Sequence, residues 1–436
     1  MNFKEKDKLL MDLEEKSYAE DFDEKDLSIL NKLSYDKDAY IRSVVAEALV
    51  VSQDEKAEQI LLRLTKDKTW VVRADACDSL CISKSVETYN LLESMAKKDT
   101  SGCVRGYAVL SLGEIANRIH RKGELTKFLE ERLEKEKSQF AQINIYTILY
   151  KMGQQKYLKN ILAMLDTNNH CNRSAAVECL EEIVDDSNKE VIIASLSEHK
   201  KVETARSVIC TIDEKLEEIF LNDLEEKADE EGINEQEFSK LKEIAGGERC
   251  NNRGIAARIL VNADLKEAEE ILQHLVHDED LFVRMEACDS LRIGKTLKTY
   301  KLLKNTVEKD KSNLVRGYAI SSLGYVAVEI NQKKDLIEFL EKILLTEKVE
   351  FTKIFIFTVL YDLGKEEYLT DLLAFINSKR YQNREIVIEN LYRIVNDRNK
   401  DVILKALMEQ KNIETIDSII SEIDELIEDI ESGHCE

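Results

Sequence analysis

Laid over itself at an offset of 211 residues, this 436-residue chain matches without a gap from 41–219 onto 252–430, with about 78 of those 179 positions identical. Val72-Arg-Ala-Asp-Ala-Cys-Asp-Ser-Leu80 falls on Val283-Arg-Met-Glu-Ala-Cys-Asp-Ser-Leu291. Val104-Arg-Gly-Tyr-Ala-Val-Leu-Ser-Leu-Gly113 falls on Val315-Arg-Gly-Tyr-Ala-Ile-Ser-Ser-Leu-Gly324. An ungapped match means that every loop kept its length. That is the signature of units stacked in series, where one insertion would displace every later unit.

A shorter period lies inside each half. Arg42, Arg73 and Arg105 are spaced 31 and 32 apart, and Arg253, Arg284 and Arg316 repeat the spacing. Each arginine opens an apolar pattern of helical period, such as Val72, Ala76, Leu80. A second helical segment precedes it, for example 57–64 or 86–95, and the turns between are short and polar. The repeating unit is therefore helix, turn, helix. Composition agrees: there are 14 glycines and no proline, where average usage of about 5% would give about 20 prolines. With 43% hydrophobic residues the chain has material for a core, which argues against broad disorder.

The repeated pattern Asp-(several)-Val-Arg-x-x-Ala-x-x-x-Leu resembles HEAT repeats, including the bacterial HEAT-like variety. It is clearest at Asp67 to Leu80, Asp99 to Gly113, Asp278 to Leu291 and Asp310 to Gly324. The turn proline usual in that family is absent throughout. The resemblance implies an all-α, HEAT-like alpha-alpha superhelix (a solenoid) made of two duplicated halves, with roughly six helix pairs in each. The expected organisation is an N-terminal repeat half with a cap over 1–219, an acidic junction over 220–250, and a C-terminal repeat half over 251–436 that ends in an acidic helix. A continuous superhelix with a weak point at the junction is expected. In such a family the arginine and the turn aspartate form a ladder, and Asp67 with Arg73 and Asp99 with Arg105 are the expected pairs.

The charge excludes some partners. Eighty-six acids against 63 bases give −23. Residues 1–40, 213–249 and 412–436 carry all of that excess, the last with nine acids and no base. Such a chain is repelled by nucleic-acid backbones and by anionic membranes. The longest strongly apolar run, Ile354 to Tyr361, is about eight residues where a membrane span needs about 20. The first residues lack the apolar stretch of a signal peptide. Nine cysteines without paired spacing suit a reducing cytoplasm.

No catalytic constellation is legible. There is no phosphate-cradling glycine motif and no nucleophile elbow. His274 and His277 are spaced to share a metal, but their counterparts are Arg63 and Lys66. The His-Glu pairs of HEAT-built di-iron hydroxylases are missing. Cys77 and Cys288 read as small buried thiols. No cofactor or metal is expected, and the chain reads as a non-enzyme.

Binding is the remaining function. The family's second helices line a concave face, and the positions pointing away from the core are the candidates. These are Arg73, Asp75, Asp78, Arg105 and Tyr107, with copies Arg284, Glu286, Asp289, Arg316 and Tyr318; Ser79, Ser111, Ser290 and Ser322 fall beside them. Tyrosine and arginine are frequent hot-spot residues. The leading expectation is a scaffold that grips a partner protein there. The alternative is an acidic inhibitor or immunity-type protein whose acid-only tail, Asn412 to Glu436, blocks a basic surface of a toxin or nucleic-acid-binding protein.

Overall fold

The computed structural model describes residues 3–19, 22–50, 52, 54–263, 266–414 and 416–432. Among them the chain is all-α, with twenty-five α-helices, short 3-10 turns and no strand. It divides into two compact units, Met1–Phe220 and Leu221–Glu436.

In unit 1, α1 (Phe3–Ala19) precedes six helix pairs. They are α2 (Glu24–Leu33) with α3 (Ala39–Ala48), α4 (Glu55–Leu64) with α5 (Trp70–Ser79), and α6 (Val86–Lys98) with α7 (Gly102–Arg118). Then come α8 (Lys122–Leu133) with α9 (Gln139–Lys151), α10 (Leu158–Ala163) with α11 (His170–Glu181), and α12 (Lys189–Val202) with α13 (Arg206–Glu231). The unit boundary falls inside α13.

Unit 2 repeats the series. Its pairs are α14 (Glu235–Ala245) with α15 (Cys250–Ile259), α16 (Lys266–Leu275) with α17 (Leu281–Ser290), and α18 (Leu297–Lys309) with α19 (Asn313–Glu329). The last three are α20 (Lys333–Leu344) with α21 (Glu350–Asp362), α22 (Tyr368–Leu373) with α23 (Tyr381–Ile394), and α24 (Lys400–Lys411) with α25 (Asp417–Ser432). From α2 onward each helix begins 211 residues before its copy, α10 and α22 differing by one. Residues 220–250, expected as an acidic junction, hold the end of α13 and all of α14, and α14 is the counterpart of α2. The acid-only segment after 412 is likewise part of the fold: α25 buries Ile419, Ile423, Leu426 and Ile430.

The local causes are ordinary. Asp38, Asp54, Ser85, Ser138, Asn169 and Asp280 cap helices with their side chains. First helices bury one stripe, as α4 does with Ala57, Ile60, Leu61 and Leu64. Second helices bury more of their circumference. α19 buries residues from Leu314 to Ala327 on several sides, because it is flanked by the second helices of the pairs before and after it. Each second helix packs on the next: α3 on α5, α5 on α7, α7 on α9, and α15 through α25 in the same way.

That packing demands close approach. A Cβ on Gly106 of α7 would lie 2.6 Å from Asn144 Nδ2 and 2.7 Å from the Phe140 ring of α9. Its copy Gly317 meets Phe351 and Phe355 of α21 at 2.8 Å. Ala76, Ala108, Ala287 and Ala319 are fully buried in the same row.

A chain of ion pairs runs along the turns. Arg42 holds Asp67 through Nε (2.7 Å) and Nη2 (2.9 Å), Arg73 holds Asp99 (2.8 and 2.9 Å), and Arg105 holds Glu136 (2.8 and 2.6 Å). Arg173 holds Glu203 in the same way. In unit 2 the rungs are Arg253 to Asp278, Arg284 to Asp310, Arg316 to Glu347 and Arg384 to Glu414. The expected pairs within one turn, Asp67 with Arg73 and Asp99 with Arg105, are not the ones formed. Each arginine donates Nη1 to the backbone carbonyl six residues before it in its own turn, as Arg73 does to Asp67 O at 2.9 Å, and reaches past it to the carboxylate of the next pair. That carboxylate also accepts the N–H two residues on, as Asp67 does from Thr69 (2.7 Å) and Asp99 from Ser101 (2.8 Å). The acid is thereby aimed back at the preceding pair. At the start of unit 1 a lysine of α1, Lys6, pairs with Asp36.

Among the described residues no helix is long and apolar enough to cross a membrane. For the close approach at Gly106, Gly106→Ala is expected to cost about 1–3 kcal/mol, because the extra methyl displaces the Phe140 ring. Urea unfolding of the full chain checks this; a midpoint equal to wild type would contradict the packing described.

Candidate binding face along the second helices

The second helices touch one another along the row, so what they leave free is one continuous face of each unit's stack. Counting from the ladder arginine fixes what it displays. Two residues on stand Asp75, Tyr107, Glu286 and Tyr318, and five residues on stand Asp78, Glu178, Asp289 and Glu389.

In unit 1, Ser43 of α3 donates to Asp75. Asp78 is open to water, yet the protein around it displaces enough solvent to push its carboxyl up to about 6, with Asp75 and Glu182 adding like charge. Solvent access combined with desolvation marks a re-entrant surface. Tyr107 lies half-buried against Phe140, ring centroids 5.4 Å apart. Burial and then the charges of Asp78, Glu178 and Asp75 push its hydroxyl up to about 12. Acids of α5 and α11 thus converge on a tyrosine of α7.

Unit 2 builds the same arrangement. Tyr318 packs on Phe355 (5.2 Å) and Phe351 (6.4 Å), and burial together with Glu389, Asp289 and Glu286 raises its hydroxyl. Burial raises Glu385 and also Glu389, the latter aided by Glu385 and Asp289. Glu422 of α25 is pushed up to about 7 by burial and by Glu385, Glu389 and Glu425, and its Oε2 is buried without a hydrogen-bond partner. Some charges are answered: Arg292 holds Asp289 at 2.7 Å, and Arg258 reaches Glu286 at 3.2 Å.

The structure sorts the residues singled out from sequence. Asp75, Asp78 and Tyr107 share one face with each other, as do Glu286, Asp289 and Tyr318. Arg73, Arg105, Arg284 and Arg316 are committed to the ladder, with side chains no more than 16% exposed. Ser111 and Ser322 are buried and donate to the Cys77 and Asp289 carbonyls, at 2.8 and 2.7 Å, tying neighbouring second helices together; Ser79 and Ser290 are buried too. Sequence reading missed Glu178, Glu385, Glu389 and Glu422. The position five residues after each arginine would have found two of them.

Beside this face one ion pair has its polarity exchanged between the halves. Lys151 pairs with Glu182 in unit 1; at the matching positions Asp362 pairs with Arg393 (2.8 Å) in unit 2. Arg393 also lies over Tyr325, 4.2 Å from the ring centroid.

The eight described cysteines form no disulfide with one another, and Cys77 and Cys288 are buried; Cys435 and His434 lie outside the described residues. Among the described residues no group of three or more His, Cys, Asp or Glu is placed to hold a metal.

A family model of HEAT repeats matches residues 27–113 and 238–324, two spans that are again 211 apart. Over those two segments the chain is similar to HEAT repeats. No curated protein matches the sequence. Among solved structures, Kap121p aligns at 14% identity over 93% of this chain and 49% of its own, with a TM-score of 0.35. Yeast importin-beta (Kap95p) aligns at 14% over 92% and 62%, with 0.43. Human deoxyhypusine hydroxylase aligns at 12% over 78% and 96%, with 0.26. The chain spans about half the length of the first of these.

The acids of the face and the acids of the ladder respond to pH in opposite directions. Asp78 and Glu422 are raised, so their contribution is full below about pH 4 and is lost as pH rises through about 6 to 7. Burial would raise Glu136 as well, but Arg105 and the Ser138 N–H outweigh it and hold the group at about 2. Its contribution is full above about pH 4.5 and is lost as pH falls towards 2. The urea midpoint should therefore peak near pH 4 to 4.5, where the ladder acid is ionised and the raised acids of the face are still protonated. Asp78→Asn with Glu422→Gln should flatten the alkaline decline; a decline as steep as wild type would refute the assignment.

Proposed function

We propose that this HEAT-repeat protein is a non-enzymatic, cytoplasmic scaffold that binds a partner protein along the second-helix face. The observation that carries this reading is the repeated arrangement of a half-buried tyrosine, Tyr107 or Tyr318, ringed by desolvated carboxylates. Carboxylates held in a re-entrant surface with few cations beside them gain when a partner supplies lysine or arginine, because each new pair restores lost solvation. The tyrosine adds an apolar anchor with a polar tip. Nucleic acid and anionic membranes carry the wrong charge for such a surface.

The alternative, an inhibitor acting through its acid-only tail, has less support. That tail contains α25, whose apolar side lies in the core, so removing 412–436 would remove core as well as charge.

The test replaces Asp75, Asp78, Glu286 and Asp289 by their amides. A photo-reactive residue at position 79's exposed neighbour Asp78 first identifies the partner by cross-linking in cells. Affinity for that partner, measured by calorimetry, is expected to fall at least about tenfold, or 1.4 kcal/mol. Amides at the exposed first-helix acids Glu124 and Glu338 should leave it unchanged. Equal loss in both sets would place binding elsewhere.

A further inference from the structure

The ladder has a gap at the same place in both units. The position that would carry the arginine of α9 is Gln142, and that of α21 is Lys353. The turn positions that would carry the receiving acid are Thr167 and Ser378. Gln142 keeps only the half of the rung inside its own pair, donating Nε2 to Glu136 O at 2.7 Å. At the rung position itself the bridge is neutral in unit 1, Asn172 to Gln139 at 2.8 Å, and a charged tie across the step lies at the far helix ends, Lys151 with Glu182. In unit 2, Ser378 and Asn383 donate to Glu350 at 2.9 and 2.7 Å.

Two further observations coincide with the gap. The buried apolar residues of unit 1 form one continuous cluster from Leu10 to Leu149, and a separate one from Ile143 to Ile219. The division runs through α9, with Ile145, Ile148 and Leu149 on one side and Ile143 and Tyr150 on the other. The first helix after the gap is also the shortest. α10 has six residues and buries Ile161 alone, and α22 has six and buries Leu372 alone. Both follow a glycine at positive φ, Gly153 at 89° and Gly364 at 97°. Fewer ion pairs, a divided core and a truncated helix all lower the cost of moving one block against the other.

We propose that the step from α9 to α11, and its copy from α21 to α23, is a joint at which each unit bends. The joint lies between the two acidic walls of the binding face. Asp75, Asp78 and Tyr107 stand before it and Glu178 after it; Glu286, Asp289 and Tyr318 stand before its copy, and Glu385 and Glu389 after. Bending there changes the separation of the walls, which carry like charge and spring apart when no cation lies between them. The face therefore adjusts its width to its occupant. This rests on the binding reading only in its last step; the joint itself does not.

Paired nitroxides on the full-length protein test it, attached through genetically encoded ketone side chains so that the native thiols are untouched. Labels at the exposed positions Glu131 of α8 and Lys159 of α10 straddle the gap, and labels at Lys97 of α6 and Glu131 straddle the intact Arg105 rung. The distance distribution across the gap is expected to be about twofold broader than across the rung. Installing the rung, Gln142→Arg with Thr167→Asp, should narrow it to the width of the control. Equal widths in the wild type would overturn the joint, and a broad distribution that the installed rung leaves unchanged would overturn the ladder as its cause. If the double variant fails to fold, the wild-type comparison decides alone. A joint without effect on partner affinity would count against the grip and not against the bend.

Discussion

The arginine-to-carboxylate contact between consecutive helix pairs is the interaction on which this architecture turns. A single amphipathic pair cannot bury its own stripe and must find a neighbour. Apolar burial supplies the attraction but little direction. The bidentate fork supplies direction: one guanidinium binds the carbonyl of its own turn and the carboxylate of the next, so neither distance nor register can drift. The carboxylate is fixed in turn by a backbone N–H. Removing either member would strand a charge that is largely out of water, which costs far more than the pair itself contributes.

The fold was legible because periodicity is a property of sequence. The spacing of the arginines set the pair length, and the 211-residue offset set the number of copies. What the sequence could not show was which neighbour each arginine chooses. Asp67 lies six residues from Arg73 and looks like its partner, yet a side chain leaving the helix start points along the stack, and only Asp99 waits there. The same blindness affected the binding face. Asp75 and Asp78 could be placed by counting along a well-formed repeat. Glu178 and Glu389 sit in repeats that keep the period but blur the motif, and Glu422 joins them only through the way α25 closes the row. Ser111 and Ser322 failed for the opposite reason: their polarity suggested solvent, whereas they serve as ties to a neighbouring backbone.

Stiffness and binding draw on the same residues in different proportions. The arginines spend their donors on the ladder and are not free to meet a partner. The acids five residues later are, and they gather on the free face of the second helices. Where the ladder lapses, at Gln142 and Lys353, the stack trades rigidity for adjustability between two charged walls.

The reversed pair, Lys151 with Glu182 against Asp362 with Arg393, constrains the gene as well as the protein. Two long, similar coding segments in tandem invite unequal crossing-over. A recombinant joined between these positions would set lysine against arginine, or aspartate against glutamate, beside an already acidic surface. The exchanged polarity means that a hybrid half would carry a like-charge pair where each present half carries an ion pair.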